Sequence, residues 1–522
     1  MLYLILPFLG YLYTLCFAPH NYFALGMLAF PAFLIILDIL KTPLKTFFGG
    51  FLFAFGHHIS GLYWISNSLL VEADKFAWLV PFAVSVIPAY LSIYIGLAAS
   101  ITYKLKYNGL AKVLFFSSIW VLFEILRSQL FTGFPWNLTG YTILKNINLS
   151  QIAAFLGVYG LSLFVLIVFL SPYLVINAFV ESIKDKSPYR LSLSLIYLMP
   201  IAFIISWLSY WGGQRIAENK DRFENISIRI VQPNIPQNEK FDNAKIGDHL
   251  FKYYTLTVDE NEDKAFVPDL IVWPEAATPY VLTKNPEFLE DLKDIIPYGA
   301  YLALGTIRTE GEEKNQKVYN SIQFVDSEGV LSETKYDKHH LVPFGEYIPF
   351  RKYFPNIEKI THGMGDFSMG QGIETLKVGQ IPPFSPSICY EIIFPKKVAD
   401  FSGEEKPRFI LNVTNDGWFG LTSGPYQHLE QARMRAIEEG ISVIRSANTG
   451  VSAIIDPLGR IMASLDLNKY GVVDGNLPAS LNKRTFYSIF GNKIVILIAA
   501  FFMSLALFLK YYAKLKRCHQ AN

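Results

Sequence analysis

The chain has 522 residues, of which 52% are hydrophobic and 17% charged, and its mean hydropathy is +0.28. Soluble domains carry about 25% charge, so the average excludes an ordinary soluble protein, and the length calls for more than one domain. With 46 Lys and Arg against 44 Asp and Glu, the net charge of +2 excludes a strongly basic nucleic-acid binder and an acidic tail, and three cysteines (Cys16, Cys389, Cys518) cannot build a disulfide scaffold.

From Met1 to about Trp211, apolar runs of spanning length follow one another. A hydrocarbon core about 30 Å thick needs roughly 20 helical residues to cross it. The expected spans lie at 2–17, 22–40, 47–69, 77–102, 110–130, 152–179 and 192–211, and one more, at 488–510, follows a long polar stretch. That makes a polytopic helical membrane bundle of about eight spans. Lys41 and Lys45 follow the second span, Lys104, Lys106 and Lys112 the fourth, Lys184, Lys186 and Arg190 the sixth, and Lys510, Lys514, Lys516 and Arg517 the eighth. These loops share one side, which the positive-inside rule makes the cytoplasm. The polar insert between spans seven and eight is then expected outside, in the periplasm of a two-membrane bacterium whose inner membrane holds the bundle.

Met1–His20 lacks a basic start, and Ala18-Pro19-His20 makes a poor cleavage site, so this stretch is expected to stay as an anchor. Asp38, near a cytoplasmic end, can snorkel to water, whereas His57, His58, Glu124 and Arg127 lie deeper and need partners. Glu124 and Arg127 stand three apart on a helix, which predicts an internal pair. The expected domain limits are a bundle over 1–215, an exported domain over 222–480, a last helix over 488–511 and a cytoplasmic tail over 512–522.

The insert reads as a different protein. Strands are expected at 226–231, 270–273, 301–305, 321–325, 409–413, 451–455 and 471–475, with helical patterns at 285–296 and 427–439. Strands alternating with helices over this length argue an α/β domain. Chemistry concentrates at four places. Glu275 follows the apolar strand 270–273, a common position for site residues in α/β folds, although taken alone it reads better as a surface or capping residue. Lys338 and Glu346 lie in a stretch with His339 and His340; alone, Lys338 reads as an ordinary surface lysine, and since adjacent histidines point apart and no carboxylate stands at ligand spacing, no metal is expected. Cys389 is the lone cysteine of the insert, either a buried small hydrophobe or a reactive nucleophile, and its polar neighbours Tyr390 and Glu391 favour the second. Asn415 and Asp416 close a strand in a turn, where they can bind local backbone.

Trp273-Pro274-Glu275, the run from Lys338 to Glu346, Cys389-Tyr390-Glu391 and the run from Asn415 to Gly420, in this order and spacing, resemble the nitrilase superfamily. The closer resemblance is to its membrane-fused branch, the apolipoprotein N-acyltransferases, and segments 124–127, 131–141, 319–321 and 445–450 share it. The resemblance implies an α-β-β-α sandwich with a Glu275–Lys338–Cys389 triad: base, cation and nucleophile. It makes Glu346, Glu391 and Tyr390 supporting groups and Phe241, Trp136, Phe344 and Tyr347 candidates for substrate contact. Phe241 departs from the usual Trp, which keeps a ring and loses an indole N–H. The implied reaction moves an acyl chain from a membrane phospholipid, through a Cys389 thioester, to the N-terminal amine of a diacylated apolipoprotein. No cofactor, metal or nucleic acid is implied, and a monomer suffices. Stretches 344–355 and 363–372, aromatic and glycine-rich, are expected to form a mobile lid. The alternative enzyme is a membrane-tethered nitrilase-type amidase acting on a small amide.

Overall fold

The computed structural model describes residues 2–521 apart from 185–188, 220, 259–265, 313–314, 354–356 and 362–364. The chain forms two compact units: Met1–Tyr63, Val80–Glu218 and Thr485–Asn522 in one, Trp64–Leu79 and Asn219–Arg484 in the other.

The first unit is helical, with α1 (Leu2–Thr14), α2 (Ala24–Ile39), α3 (Pro43–Gly61), α4 (Val80–Lys104), α5 (Gly109–Arg127), α6 (Ala153–Lys184) and α7 (Tyr189–Glu218), closed by the C-terminal helix Lys493–Ala521. Four helices among the described residues are long and apolar enough to cross a membrane: Ala73–Lys104, Gly109–Arg127, Ala153–Val180 and Lys493–Leu515. α1 and α2 are apolar but shorter, because the chain turns between Leu15 and Phe23, so the expected count of eight is not reached on this criterion. Part of the expected loop after span six, 185–188, lies outside the described residues. α3 starts where the Thr42 side chain accepts from the Lys45 N–H and Pro43 occupies the first turn. It packs backbone to backbone on α1. A Cβ on Gly10 would lie 2.0 Å from the Phe53 carbonyl oxygen, and one on Gly56 would lie 2.0 Å from that of Pro7.

The polar residues of the bundle find partners, though Glu124 and Arg127 do not find each other. Asp38 accepts from Lys112 and, at 2.8 Å, from the Tyr173 hydroxyl. His57 meets Thr14 at 3.0 Å and His58 meets Ser92 at 3.2 Å. No ion pair joins Glu124 to Arg127 among the described residues. Glu124 Oε1 accepts from the Thr139 N–H and hydroxyl at 2.9 and 2.7 Å, while Arg127 donates to the carbonyls of Phe134 and Trp136 at 2.9 and 3.0 Å. Both side chains reach the irregular segment after α5, whose backbone groups lack helical partners and are stronger claims on a buried charge than a neighbour on the same helix.

The second unit holds two mixed sheets. One has β1 (Phe223–Gln232), β2 (Leu270–Trp273), β3 (Tyr301–Glu310), β4 (Lys317–Asp326) and β5 (Leu331–Asp337) in chain order, with β11 (Gly471–Pro478) outside β1. The other runs from β6 (Phe384–Ile388) through β7 (Phe409–Thr414), β8 (Ser442–Ala447) and β9 (Ser452–Ile455) to β10 (Ile461–Leu465). Strands β1–β2–β3 and β6–β7–β8 pair in parallel, and β2 and β7, buried along their whole length, carry the near-continuous apolar runs expected of strands covered on both faces. Ile228, Ile230 and Val272 of one sheet share a core with Ile388, Leu411 and Ile444 of the other. The alternate residues Val231, Ile271 and Trp273 pack under helices α8 (Ile246–Val258) and α9 (Pro286–Lys293), through Tyr253, Leu256, Phe288 and Leu292. α10 (Gly424–Glu439) lies against β8 and the turn after β6. The result is the α-β-β-α sandwich. Segment Trp64–Leu79, expected as the end of one span and the start of another, belongs here: Ser68 donates to the Trp418 carbonyl at 3.0 Å, and the Trp64 and Phe419 rings lie 4.5 Å apart.

Candidate active site

Glu275 stands two residues past the end of β2 and Lys338 directly past β5, while Cys389 opens the turn after β6. Between the carboxylates and the lysine runs a closed ring of four side chains. Lys338 Nζ is 3.0 Å from Glu346 Oε1 and 3.6 Å from Glu275 Oε1. Opposite it, the Asn320 amide nitrogen donates to the same two oxygens, at 3.0 Å and 2.8 Å. Glu346 Oε2 accepts from the Val342 N–H at 2.8 Å. Glu275 Oε2 is thus the one carboxylate oxygen of the ring without a partner among the described residues. It is an acceptor held in place and left open.

The strand ends are built to present these groups. Gly305 of β3 lies so close to the chain after β2 that a Cβ there would sit 2.5 Å from the Pro274 oxygen and 2.6 Å from Glu275 Cα. Cys389 has φ +51, a left-handed conformation that a non-glycine residue adopts only where its surroundings enforce it. Glu391 supplies that enforcement. Its carboxylate accepts from the N–H groups of Ile388, His339 and His340 at 2.8, 2.8 and 3.1 Å and from the Tyr336 hydroxyl at 2.9 Å, tying the nucleophile turn to the strand end that carries Lys338. Burial works against its charge, but His339 and these donors prevail and hold the carboxyl below its ordinary value.

Electrostatics divide the roles. Lys338 is 1% exposed. Burial would lower its ammonium, but Glu346 and Glu275, with Cys389 and Glu391 behind them, hold it well above the ordinary lysine value. The Cys389 thiol, 7% exposed, is pushed well above its ordinary value by burial first and by Glu275 next, with Lys338 opposing. The resting sulfur is therefore a thiol, and its proton leaves only as a bond forms. Behind it, the His428 ring links the Cys389 carbonyl (3.2 Å) to Asp416 (2.8 Å), which also pairs with Arg445 at 2.7 Å. Burial resists the Asp416 charge; Arg445 and His428 outweigh it and bring the carboxyl down to about 2.

Residues 9–171 match the family model described as the apolipoprotein N-acyltransferase N-terminal domain, and residues 227–485 match that of carbon-nitrogen hydrolases. An apolipoprotein N-acyltransferase of Rhodopseudomonas palustris is 35% identical over 515 residues, covering 96% of this chain and 94% of its own. One from Brucella melitensis is 38% identical over 479 residues, covering 89% and 88%. The chain belongs to the apolipoprotein N-acyltransferase family. Among solved structures, a CN-hydrolase superfamily protein from Xanthomonas campestris aligns at 17% identity over 52% of this chain and 97% of its own, with a TM-score of 0.35.

Within this family member the sandwich brings Glu275, Lys338 and Glu346 together and sets Cys389 in their electrostatic reach. Tyr390 is half-buried, its ring 5.1 Å from that of Phe394 and 5.8 Å from that of His340. Phe241 and Tyr347 are half-buried and Phe344 is exposed with φ +62. Trp136 lies in the helical unit, fully buried beside Phe134. The expected lid is tied down at its base by Ile360 and Thr361 N–H bonds to the carbonyls of Phe344 and Gly345 and by an Arg351–Asp366 ion pair, while Phe350 and Tyr353 stand exposed; 354–356 and 362–364 lie outside the described residues. Asn415 binds local backbone as expected, accepting from the Gly417 N–H at 3.3 Å, whereas Asp416 belongs to the buried pair network. Two polar groups at the site, Asn320 and Lys240, were not among the sequence candidates. Asn320 lies inside a segment that already resembled the family; its role as a bridge needs the fold to be visible.

Proposed function

We propose that the protein transfers an acyl chain from a membrane phospholipid to the N-terminal α-amine of the diacylglyceryl cysteine of an apolipoprotein, through a thioester on Cys389. The observation that carries this reading is the unpartnered Glu275 Oε2, on a carboxylate that Asn320 and Lys338 hold through Oε1, in electrostatic reach of a buried thiol. Glu275 takes the Cys389 proton as sulfur attacks the ester carbonyl, and Lys338, with the Tyr390 N–H, stabilises the oxyanion. Collapse breaks the ester C–O bond, and Glu275 returns the proton to the departing glycerol oxygen, releasing a lysophospholipid. In the second half the neutral acceptor amine attacks the thioester, Glu275 accepts its proton and passes it to the leaving sulfur. An amide and the resting thiol result.

Both substrates are lipid-anchored, so a site carried on a membrane bundle meets them at high effective concentration. Exposed Phe344, Phe350 and Tyr353 suit the bilayer interface from which those chains arrive. The loop lysines favour insertion in a bacterial inner membrane with the sandwich on the periplasmic side. The test is mass spectrometry of purified protein incubated with phospholipid. An acyl mass is expected on the Cys389 peptide, discharged by a diacylated lipopeptide and absent from Cys389→Ala. A Cys389→Ala protein that still N-acylates the lipopeptide ends the reading.

A further inference from the structure

Lys240 sits in the turn after β1, and no step above uses it. The residue is 5% exposed, and its Nζ donates to the backbone carbonyl of Glu275 at 2.7 Å. An ammonium has three N–H donors. Among the described residues only this one finds an acceptor, and no carboxylate comes within ion-pair distance of Nζ. Lys338 is the contrast, with two carboxylates against it. A buried cation without a counter-ion is expensive, and a fold retains one where an anion arrives later. Gln237, three residues earlier, repeats the pattern: its Oε1 accepts from Asn415, and its buried Nε2 has no partner among the described residues.

Two further facts place Lys240 at the reacting centre. Its carbonyl partner belongs to the candidate base itself. Burial lowers its ammonium to about 8, and the groups that oppose the drop are Glu275 and Cys389. Lys338 already donates to Glu346 at 3.0 Å and pairs with Glu275 at 3.6 Å, so Lys240 would add donors to the few that Lys338 still offers an incoming oxygen.

We propose that Lys240 is a second cationic donor of the site, contributing its free N–H groups to an anionic oxygen of the bound acyl donor. The oxygen is either the tetrahedral oxyanion at the acyl carbon or a phosphate oxygen of the lipid. The proposal rests on Cys389 being the acylated nucleophile.

The experiment measures the rate of Cys389 acylation in the full-length protein, with a phospholipid and with an uncharged p-nitrophenyl fatty ester as donors. Lys240→Met keeps the length of the side chain and removes its donors. Loss of one oxyanion donor slows such reactions by about 100- to 1,000-fold, and that loss is expected with phospholipid. A loss with both donors assigns Lys240 to the acyl oxyanion; a loss with phospholipid alone assigns it to the phosphate. The wild-type rate should also fall as pH rises past about 8, where the ammonium is lost, and Lys240→Met should lack that fall. Lys240→Arg, which keeps the charge, should recover part of the rate. Unchanged acylation of Lys240→Met with both donors overturns the proposal, as does a wild-type rate that stays level to pH 9.5 should the Met variant not fold. Cys389→Ala run alongside separates the two claims: acyl transfer by that variant refutes the nucleophile assignment, whatever Lys240 does.

Discussion

A single amide nitrogen, that of Asn320, holds two carboxylates that would otherwise repel each other across Lys338. Hydrogen bonds to charged groups contribute about 1.5–3 kcal/mol each, so replacing Asn320 withdraws restraint from Glu275 and Glu346 together. Asn320→Leu is expected to lower the rate of Cys389 acylation by about 100-fold while leaving the protein folded in detergent; an unchanged rate by mass spectrometry would show that Lys338 alone suffices. This residue also marks where sequence reasoning stops. Glu275, Lys338 and Cys389 stand out as candidates only because their segments, in order and spacing, resemble the family; singly, Glu275 reads as a capping or surface residue and Lys338 as an ordinary surface lysine. A bridging amide is chemically plain, and its value comes from two oxygens contributed by distant strand ends. The same holds for Lys240, an ordinary lysine in the sequence until the fold buries it.

Among the elements, strands with unbroken apolar runs were legible: β2 and β7 match their expected ranges within a residue. β6 and β8 were not, because Pro386 with its flanking serines interrupts the first and Arg445 the second. The fold accommodates Arg445 by giving it Asn412 at 2.6 Å and Asp416 at 2.7 Å, partners that no local pattern announces. At the other sheet, the close approach of Gly305 to Glu275 sets where the base stands. Gly305→Ala forces a methyl into a gap of 2.5 Å, and overpacking of this kind costs about 1–3 kcal/mol. Because it displaces the strand end that carries Glu275, acylation should fall by about 100-fold with only a modest drop in unfolding temperature. A variant that loses stability but acylates normally would dissociate the packing from the chemistry.

For the whole molecule, the division into an apolar bundle and a polar sandwich follows from composition, whereas the limits of the two do not follow from hydropathy. The ends of this segment, 64–69 and 77–79, extend the apolar runs of their neighbours, and apolar side chains are buried equally well by lipid or by protein. Their contacts with Trp418 and Phe419 assign them to the sandwich. A fragment over 219–484 should therefore unfold at a lower temperature than the same fragment with 64–79 fused to it by a flexible linker. Equal melting curves would mean that the segment adds nothing to the sandwich.

That interruption has a bearing on assembly and on exchange. The sandwich cannot be excised with one cut or grafted between relatives as one cassette, since a chimera joined only near residue 219 pairs one parent's loop with the other's turn. During synthesis the ribosome delivers this first piece of the sandwich before the 139 residues of Val80–Glu218 that precede the rest, so the piece waits while the intervening helices are made. The sandwich is then completed around a strip of its own that was made before the rest of it.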